Sequence, residues 1–171
     1  CYHAENNQIY LGYVIGLDYK NPYLSPYDEF QQFKTHPDIK KLLEGGKRIS
    51  YGARALIEGG LQSLPQMYMP GALLIGCDAG TLNMPKIKGS HTAMKSGIIA
   101  AEVINDHINS NKELSEYESK FKNSWVFEEL YKARNVKPSF QWGLIPAMIF
   151  TGLDQKIFGG KLPFTLSLIH I

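Results

Sequence analysis

The chain has 171 residues, of which 44% are hydrophobic and 20% are charged, and its formal net charge at pH 7 is +2. This composition excludes an intrinsically disordered chain and fits a globular fold with a modest core, while the small net charge argues neither for nor against a nucleic-acid partner. There are only two cysteines, Cys1 and Cys77, and neither lies in a Cys-x-x-Cys pair, which excludes a zinc or iron–sulfur site built from cysteine in this chain.

The first part of the chain alternates apolar runs with turns. The segment Ile9–Tyr19 is rich in β-branched and aromatic residues, which predicts a strand. Ser25 followed by Pro26 predicts the start of a helix, and a second short helix is predicted from His36 to Leu43. Short strands are predicted between Gly-Gly turns, at residues 47–55 and 61–68.

The stretch from Ala72 to Glu102 carries the strongest signal. Its apolar start, Ala72–Ile75, predicts a buried strand that ends in the sequence Gly-Cys-Asp-Ala-Gly. After a loop of eight residues, Gly89–Thr92 begins a helical pattern that continues to about Asn109, with Ser90 as the predicted N-cap. The positions that form the apolar stripe of this helix are Ala93, Met94, Gly97, Ile98, Ala101, Ile104 and Ile108.

An Asp at a strand end beside a helix N-terminus is how an α/β fold holds a nucleotide-type ligand. Asp78 either accepts a hydrogen bond from a ligand hydroxyl or caps the following loop. The amide groups of residues 89–92 either face a pyrophosphate or flavin ring or begin an ordinary helix, and the succession of Asp, loop and helix favours the cofactor. His91 has no nucleophile motif nearby, so a structural or ligand-contacting role is expected.

Several familiar motifs are missing from the sequence. There is no Gly-x-Gly-x-x-Gly fingerprint, no phosphate-binding loop and no Gly-x-Ser-x-Gly elbow. If a dinucleotide binds, the residues that grip its ADP moiety are therefore not in this chain, and a hydrolase triad has no support.

The last third of the chain combines a helix with an apolar segment. Residues 115–134 predict one helix with Phe121, Trp125 and Leu130 as apolar anchors. The segment Phe140–Leu153 has fourteen residues without a charge, about 21 Å as a helix, which is short of a bilayer core of about 30 Å. Aromatic residues mixed with lysines favour a segment lying in a membrane interface, and a buried core helix is the alternative.

Several long stretches together resemble the electron transfer flavoprotein–ubiquinone oxidoreductase family. The resemblance runs from about Leu11 to Phe164 and implies an α/β, or α+β, fragment. This would hold part of a glutathione-reductase-like FAD domain, part of a quinone-binding domain and a monotopic membrane segment. The stretches that carry the resemblance are GLDYKNPYLSPYDEFQQFKTHP, LEGGKRISYGARALIEGG, ALLIGCDAG, NMPKIKGSHTAMKSGIIAAE, NSWVFEELYKARNVKPSF and MIFTG.

The resemblance implies an enzyme of the mitochondrial inner membrane, on the matrix side, or of the cytoplasmic membrane if the source is bacterial. Such enzymes take electrons from reduced electron transfer flavoprotein and pass them, through FAD and a four-iron iron–sulfur cluster, to ubiquinone. The implied division is residues 1–70 for the end of the quinone-binding domain, 71–112 for the strand–helix unit of the FAD domain, 113–138 for a helical connection, and 139–165 for the membrane segment. The final residues 166–171 look like a translated sequencing adapter.

The resemblance also assigns roles to individual residues. No general acid or base is expected among them, and a fragment that lacks the first half of the FAD site and the cluster cysteines is not expected to hold FAD alone. The implied ribityl or pyrophosphate contacts are Gly76, Cys77, Asp78, Ala79 and Gly80, and those near the isoalloxazine ring are Gly89, Ser90, His91 and Thr92. The implied membrane or quinone-entrance residues are Trp142, Ile145, Met148, Ile149, Phe150, Leu153, Ile157, Phe158 and Phe164.

Two other interpretations stay open at the level of sequence. A geranylgeranyl-reductase-like flavoprotein would share the Asp–Gly–helix unit, and a non-catalytic membrane-peripheral module would need only the apolar segment. The chain also departs from the family pattern, with Cys77-Asp78 in place of the usual Gly-Asp and with Ile57 where a polar residue is common. Asp154 and Lys156 interrupt the apolar segment, so a shallow insertion is expected.

Overall fold

The computed structural model describes residues 1–167, and the chain divides into two compact units, Cys1–Ala53 and Arg54–Ile171. Helices dominate the described part, and its strands form two small antiparallel sheets. The mixed helix-and-strand class expected from the sequence is confirmed at this level. The implied division into functional segments stays a prediction.

The first unit consists of a hairpin and two helices. Strand β1 (Tyr2–Ala4) pairs with β2 (Gln8–Tyr10), and helix α1 (Pro26–Thr35) precedes α2 (Pro37–Leu43). Both helices begin where the sequence predicts. The Ser25 hydroxyl accepts a hydrogen bond from the Asp28 amide at 3.3 Å, and the amide of Asp38 donates to His36 Nδ1 at 3.3 Å.

The strand predicted from Ile9 to Tyr19 is wrong beyond Tyr10. The Tyr13 ring instead stacks on two rings of α1, with centroid distances of 6.1 Å to Phe30 and 5.0 Å to Phe33. Aromatic residues are common in strands, but they also pack well against the apolar face of a helix. Here the rings of α1 provide that face for Tyr13. Residues 47–55 likewise form no strand.

The second unit contains a short hairpin and six helices in its described part. The strand predicted over residues 61–68 is replaced by a 3₁₀ turn and the beginning of this hairpin. The strands are β3 (Tyr68–Met69) and β4 (Ala72–Leu73), and the helices are α3 (Gly76–Ala79), α4 (Ser90–Ser110), α5 (Glu116–Lys122), α6 (Trp125–Ala133), α7 (Val136–Ser139) and α8 (Leu144–Lys156), with 3₁₀ turns at Leu61–Ser63, Met84–Lys86 and Phe140–Trp142.

The core of this unit lies where α4, α5 and α6 meet. The buried face of α4 is not the predicted apolar stripe, since Met94, Ile98, Ile104 and Ile108 are exposed. The buried side meets several partners, since the Gly76 amide donates to the Ser96 hydroxyl at 2.9 Å and Ile99 and Val103 join the core. The buried residues of α4 are Thr92, Ser96, Ile99, Ala100 and Val103.

The single helix predicted over residues 115–134 is broken in two. Ser124 adopts an extended conformation and its hydroxyl donates to the Phe121 carbonyl at 2.7 Å, so α5 ends and α6 begins anew. Phe121 and Leu130 are buried as predicted, but Trp125 is exposed in the first turn of α6 and Val126 takes the buried position. The break turns α6 relative to α5, which changes the face that points to the core.

Residues 160–166, the C-terminal strap, are bound to the end of α6 by Arg134. This guanidinium is 2% exposed and donates to the Gly160 carbonyl at 2.7 Å and to the Leu162 carbonyl at 2.5 Å. Asn135 adds a hydrogen bond from the Leu166 amide at 2.8 Å. Leu166 thus hydrogen-bonds within this strap, residues 168–171 lie outside the described part, and the adapter expected over residues 166–171 stays a prediction.

Gly160 provides the most direct test of the strap. Its φ is +71°, and a Cβ built on it would lie 2.3 Å from the Lys132 carbonyl oxygen. We expect Gly160→Ala to lower the free energy of unfolding by about 2–4 kcal/mol, measured by urea denaturation. Gly159→Ala is the matched control, because Gly159 has a similar φ of +60° but no atom near its added Cβ. Equal losses in the two variants would contradict the close approach of strap and helix.

Candidate cofactor site and apolar face

The structure brings the two predicted cofactor-binding segments together. The Gly76 amide contacts Ser96 of α4, and a Cβ built on Gly89 would lie 3.2 Å from the Cys77 sulfur. The turn 76–80 therefore lies against the beginning of α4.

The Asp78 carboxylate does not lie at the end of a buried strand. Strand β4 stops at Leu73, and residues 76–79 form one turn of helix. Leu74 and Ile75, expected to be buried, are exposed because the described hairpin has no further strand to cover them. The Asp78 side chain is 70% exposed and its Oδ1 lies 3.0 Å from the Arg54 guanidinium. Water and this exposed ion pair satisfy the carboxylate, so it carries no burial penalty in this chain.

The predicted cofactor contacts differ in their accessibility. Gly76, Ala79, Gly80 and Thr92 are buried, so a ligand would meet this region at its exposed and partly exposed positions. Asp78 and Ser90 are exposed, and Cys77, Gly89 and His91 are partly exposed.

The start of α4 differs by one residue from the prediction. Gly89, not Ser90, is the N-cap residue, and the Thr92 hydroxyl donates to the Gly89 carbonyl at 2.9 Å. The first amide groups of a helix have no acceptor within it, so those of Ser90, His91 and Thr92 face the space beyond the helix end. This is the end of the helix dipole that favours a negative charge.

His91 belongs to a polar cluster that the sequence does not reveal. Its Nε2 lies 2.9 Å from Oε1 of Glu129, which also accepts from Asn83 Nδ2 at 2.7 Å, while Lys86 lies 3.1 Å from the other oxygen. The His91 ring also stacks on Trp125 at 5.7 Å. These contacts give His91 a structural role, and the ligand contact that was the other expectation stays a prediction. Glu129 is 38 residues away along the chain, so no local spacing could have identified it.

The charge state of Glu129 follows from these contacts. Burial disfavours the carboxylate, but hydrogen bonds from His91, Asn83 and Lys86, with the Lys86 charge, outweigh it and hold the pKa of Glu129 below its usual 4.5. The cluster ties the start of α4 to the middle of α6.

The apolar face predicted for the end of the chain is exposed in the structure. Phe150 is the exception, since it is half-buried, packs edge-on against Trp142 at 5.2 Å and contacts Phe164 at 6.4 Å with its ring tilted by 35°. The exposed residues, hereafter the apolar face, are Trp142, Ile145, Met148, Ile149, Leu153, Ile157, Phe158 and Phe164.

Asp154 does not interrupt the apolar face. Its side chain is turned inward and is only 1% exposed, with Oδ2 accepting from Gln155 Nε2 at 3.0 Å. The acid therefore lies on the opposite side of α8 from the apolar face, and the shallow insertion expected from Asp154 and Lys156 stays a prediction. Among residues 1–167, no helix is both long enough and apolar enough to cross a bilayer.

Comparisons with known proteins agree with the resemblance seen in the sequence. Residues 1–56 match the family model described as ETF-QO, ubiquinone-binding. The chain is 54% identical to electron transfer flavoprotein–ubiquinone oxidoreductase of Pseudomonas aeruginosa, and 50% and 53% identical to the mitochondrial proteins of that name from Oryza sativa subsp. japonica and Sus scrofa. Each alignment covers 96% of the chain but only 31%, 29% and 29% of the relative. The chain thus spans about three-tenths of the length of these curated relatives, and the resemblance is confirmed along nearly all of it.

The polar cluster gives a prediction for stability and its pH dependence. We expect Glu129→Gln to lower the free energy of unfolding at neutral pH by about 1–3 kcal/mol, because three donors lose a charged acceptor. Since the folded-state pKa of Glu129 is lowered, this stabilisation is present above about pH 4.5 and is lost as the pH falls further. Denaturation over an acid series should therefore show a shallower decline for the variant.

Glu128→Gln is the matched control. Glu128 is 63% exposed and its partner is Lys132 of the next helical turn, so a much smaller effect is expected. If both variants behaved alike, the cluster would not be what holds α4 against α6.

Proposed function

We propose, from the sequence similarity to the electron transfer flavoprotein–ubiquinone oxidoreductases, that this chain forms part of such an enzyme. The observation that carries the proposal is an identity of 50–54% to the three relatives along 96% of the chain. The complete activity would belong to a protein of the relatives' length. It would take electrons from reduced electron transfer flavoprotein and deliver them to ubiquinone at a membrane.

The chain would contribute three parts to that protein. Residues 1–56 match the ubiquinone-binding model and would form part of the quinone-binding domain. The turn 76–80 and the start of α4 would form one side of an FAD site in a glutathione-reductase-like domain. The apolar face would attach the enzyme to one leaflet. The membrane would be the mitochondrial inner membrane or the bacterial cytoplasmic membrane, since the relatives include both kinds.

The exposed groups near Asp78 support the proposed FAD site. The exposed carboxylate could accept hydrogen bonds from ribityl hydroxyls, and the amides at the start of α4 would favour negative charge on the cofactor. Leu74 and Ile75 expose apolar surface immediately before the turn, and Met94 does so in the first turns of α4. Bound FAD would supply electron uptake and release, while these side chains hold and orient it.

The iron–sulfur cluster of the family would be held outside this chain. Both cysteines are free thiols, and the part of the chain that the structure describes has no group of three or more His, Cys, Asp or Glu side chains able to hold a metal ion. We therefore expect any cluster ligands to come from the rest of the longer protein.

The FAD assignment can be tested in the purified full-length protein. We expect the protein to retain FAD and to reduce ubiquinone with reduced electron transfer flavoprotein as donor. Asp78→Asn should weaken FAD retention by about tenfold or more, because a charged hydrogen bond to the ribityl chain is lost. Flavin absorbance after dialysis measures this.

Asp38→Asn is the control for that substitution, since Asp38 is an equally exposed acid in the first turn of α2. Full retention of FAD by the Asp78 variant would overturn the site but not the function. A full-length protein that binds no flavin would overturn the function and favour a non-catalytic membrane module.

The membrane assignment is tested by flotation of the full-length protein with lipid vesicles. Ile145→Glu combined with Ile149→Glu places two charges on the apolar face. Burial of each isoleucine side chain in the membrane is worth about 1.5–3 kcal/mol. Binding of the double variant to vesicles should therefore fall at least about tenfold. Ile108→Glu on α4 is the control, because Ile108 is 74% exposed and Ile145 is 71% exposed. Equal loss of binding in both would argue against the apolar face.

A further inference from the structure

In the C-terminal part of the chain, the negative side chain is buried and the positive side chains are exposed. Residues 140–167 contain three charged side chains, Asp154, Lys156 and Lys161. The acid is buried and both lysines are exposed. The solvent-facing surface of this segment therefore carries only positive side-chain charge, although its sequence contains both signs.

The two lysines border one end of the apolar face. Lys156 ends α8 directly before Ile157 and Phe158, and Lys161 follows three residues after Phe158. A lysine in this position can lay its aliphatic stem along apolar surface and keep its ammonium at the level of lipid headgroups. The two ammonium groups are thus suited to meet phosphate where the apolar residues would meet acyl chains.

No described carboxylate within salt-bridge distance neutralises either lysine. The ion pairs of residues 1–167 do not include Lys156 or Lys161. The positive charge of Lys161 helps to lower the pKa of Glu128 in α6, but the hydrogen-bonded partner of Glu128 is Lys132 at 2.7 Å. Both ammonium groups are available to an anion from outside the chain.

The backbone around Lys161 is held on both sides. Arg134 binds the carbonyls of Gly160 and Leu162, and the Lys161 amide donates to the Phe158 carbonyl at 3.1 Å. The Gly160 amide also donates to the Asp154 carbonyl at 2.8 Å, which ties the strap to α8. The lysines and the apolar face consequently belong to one folded surface.

We propose that this surface selects anionic phospholipids. The apolar face enters the boundary between headgroups and acyl chains, and Lys156 and Lys161 bind the phosphate and carboxylate groups of anionic lipids. This inference rests on the proposed membrane attachment and adds the class of lipid. Each lysine near an anionic surface contributes about a fivefold gain in binding, or about thirtyfold for both.

The test compares two kinds of vesicle with the full-length protein. Flotation is measured with phosphatidylcholine vesicles with and without phosphatidylserine. The wild-type protein should prefer the anionic vesicles by about thirtyfold at low salt, and added salt should reduce that preference because exposed charges are screened. The double variant Lys156→Gln and Lys161→Gln should lose the preference but keep its binding to the neutral vesicles.

The control changes the net charge equally at a different place. Lys40→Gln with Lys41→Gln removes two exposed lysines of α2 and should leave the preference intact. Equal binding of wild-type protein to both vesicles, or equal loss of preference in the two double variants, would overturn the inference while leaving membrane attachment in place. Binding to neither kind of vesicle would overturn the attachment as well.

Discussion

The buried guanidinium of Arg134 is the constraint on which the end of the structure depends. A buried charge is costly unless each of its donors finds an acceptor, and Arg134 meets this demand with backbone carbonyls, including those of Gly160, Leu162 and Phe164. Backbone acceptors fix the path of the chain more tightly than a single carboxylate would. The course of the strap and the close approach at Gly160 both depend on this one side chain.

Local signals in the sequence predicted α1, α2 and α4 well, but not the break between α5 and α6. The Ser25 cap, the start of α2 and the length of α4 depend on neighbouring residues, and the structure has them within a residue or two. Features that depend on residues far away in the sequence, such as which face of a helix is buried, could not be predicted. Several sides of α4 are apolar, so periodicity alone could not choose between them, and the buried side is the one that meets α3, α5 and α6.

In the candidate site, too, contacts between neighbours in the sequence were predictable and contacts between distant residues were not. The spacing of residues 76–80 and 89–92 predicted that the two segments lie together, because a strand or turn followed by a helix brings chain neighbours into contact. The cluster around Glu129 joins residues far apart in sequence, so it left no pattern to detect. Glu128 and Glu129 are chemically identical neighbours, yet one is exposed and the other accepts three hydrogen bonds. Only the orientation of α6 distinguishes them.

Helix α6 carries two anchors of different kinds, with Glu129 holding the start of α4 and Arg134 holding the strap. The two residues are five positions apart, which corresponds to about 7–8 Å along a helix axis. A helix of this length does not bend or stretch appreciably, so it acts as a rigid spacer. The spacing along α6 between the start of α4 and the strap is then a constant of the fold. The cofactor contacts proposed for the start of α4 and the lipid contacts proposed for the strap would therefore keep a set distance from each other.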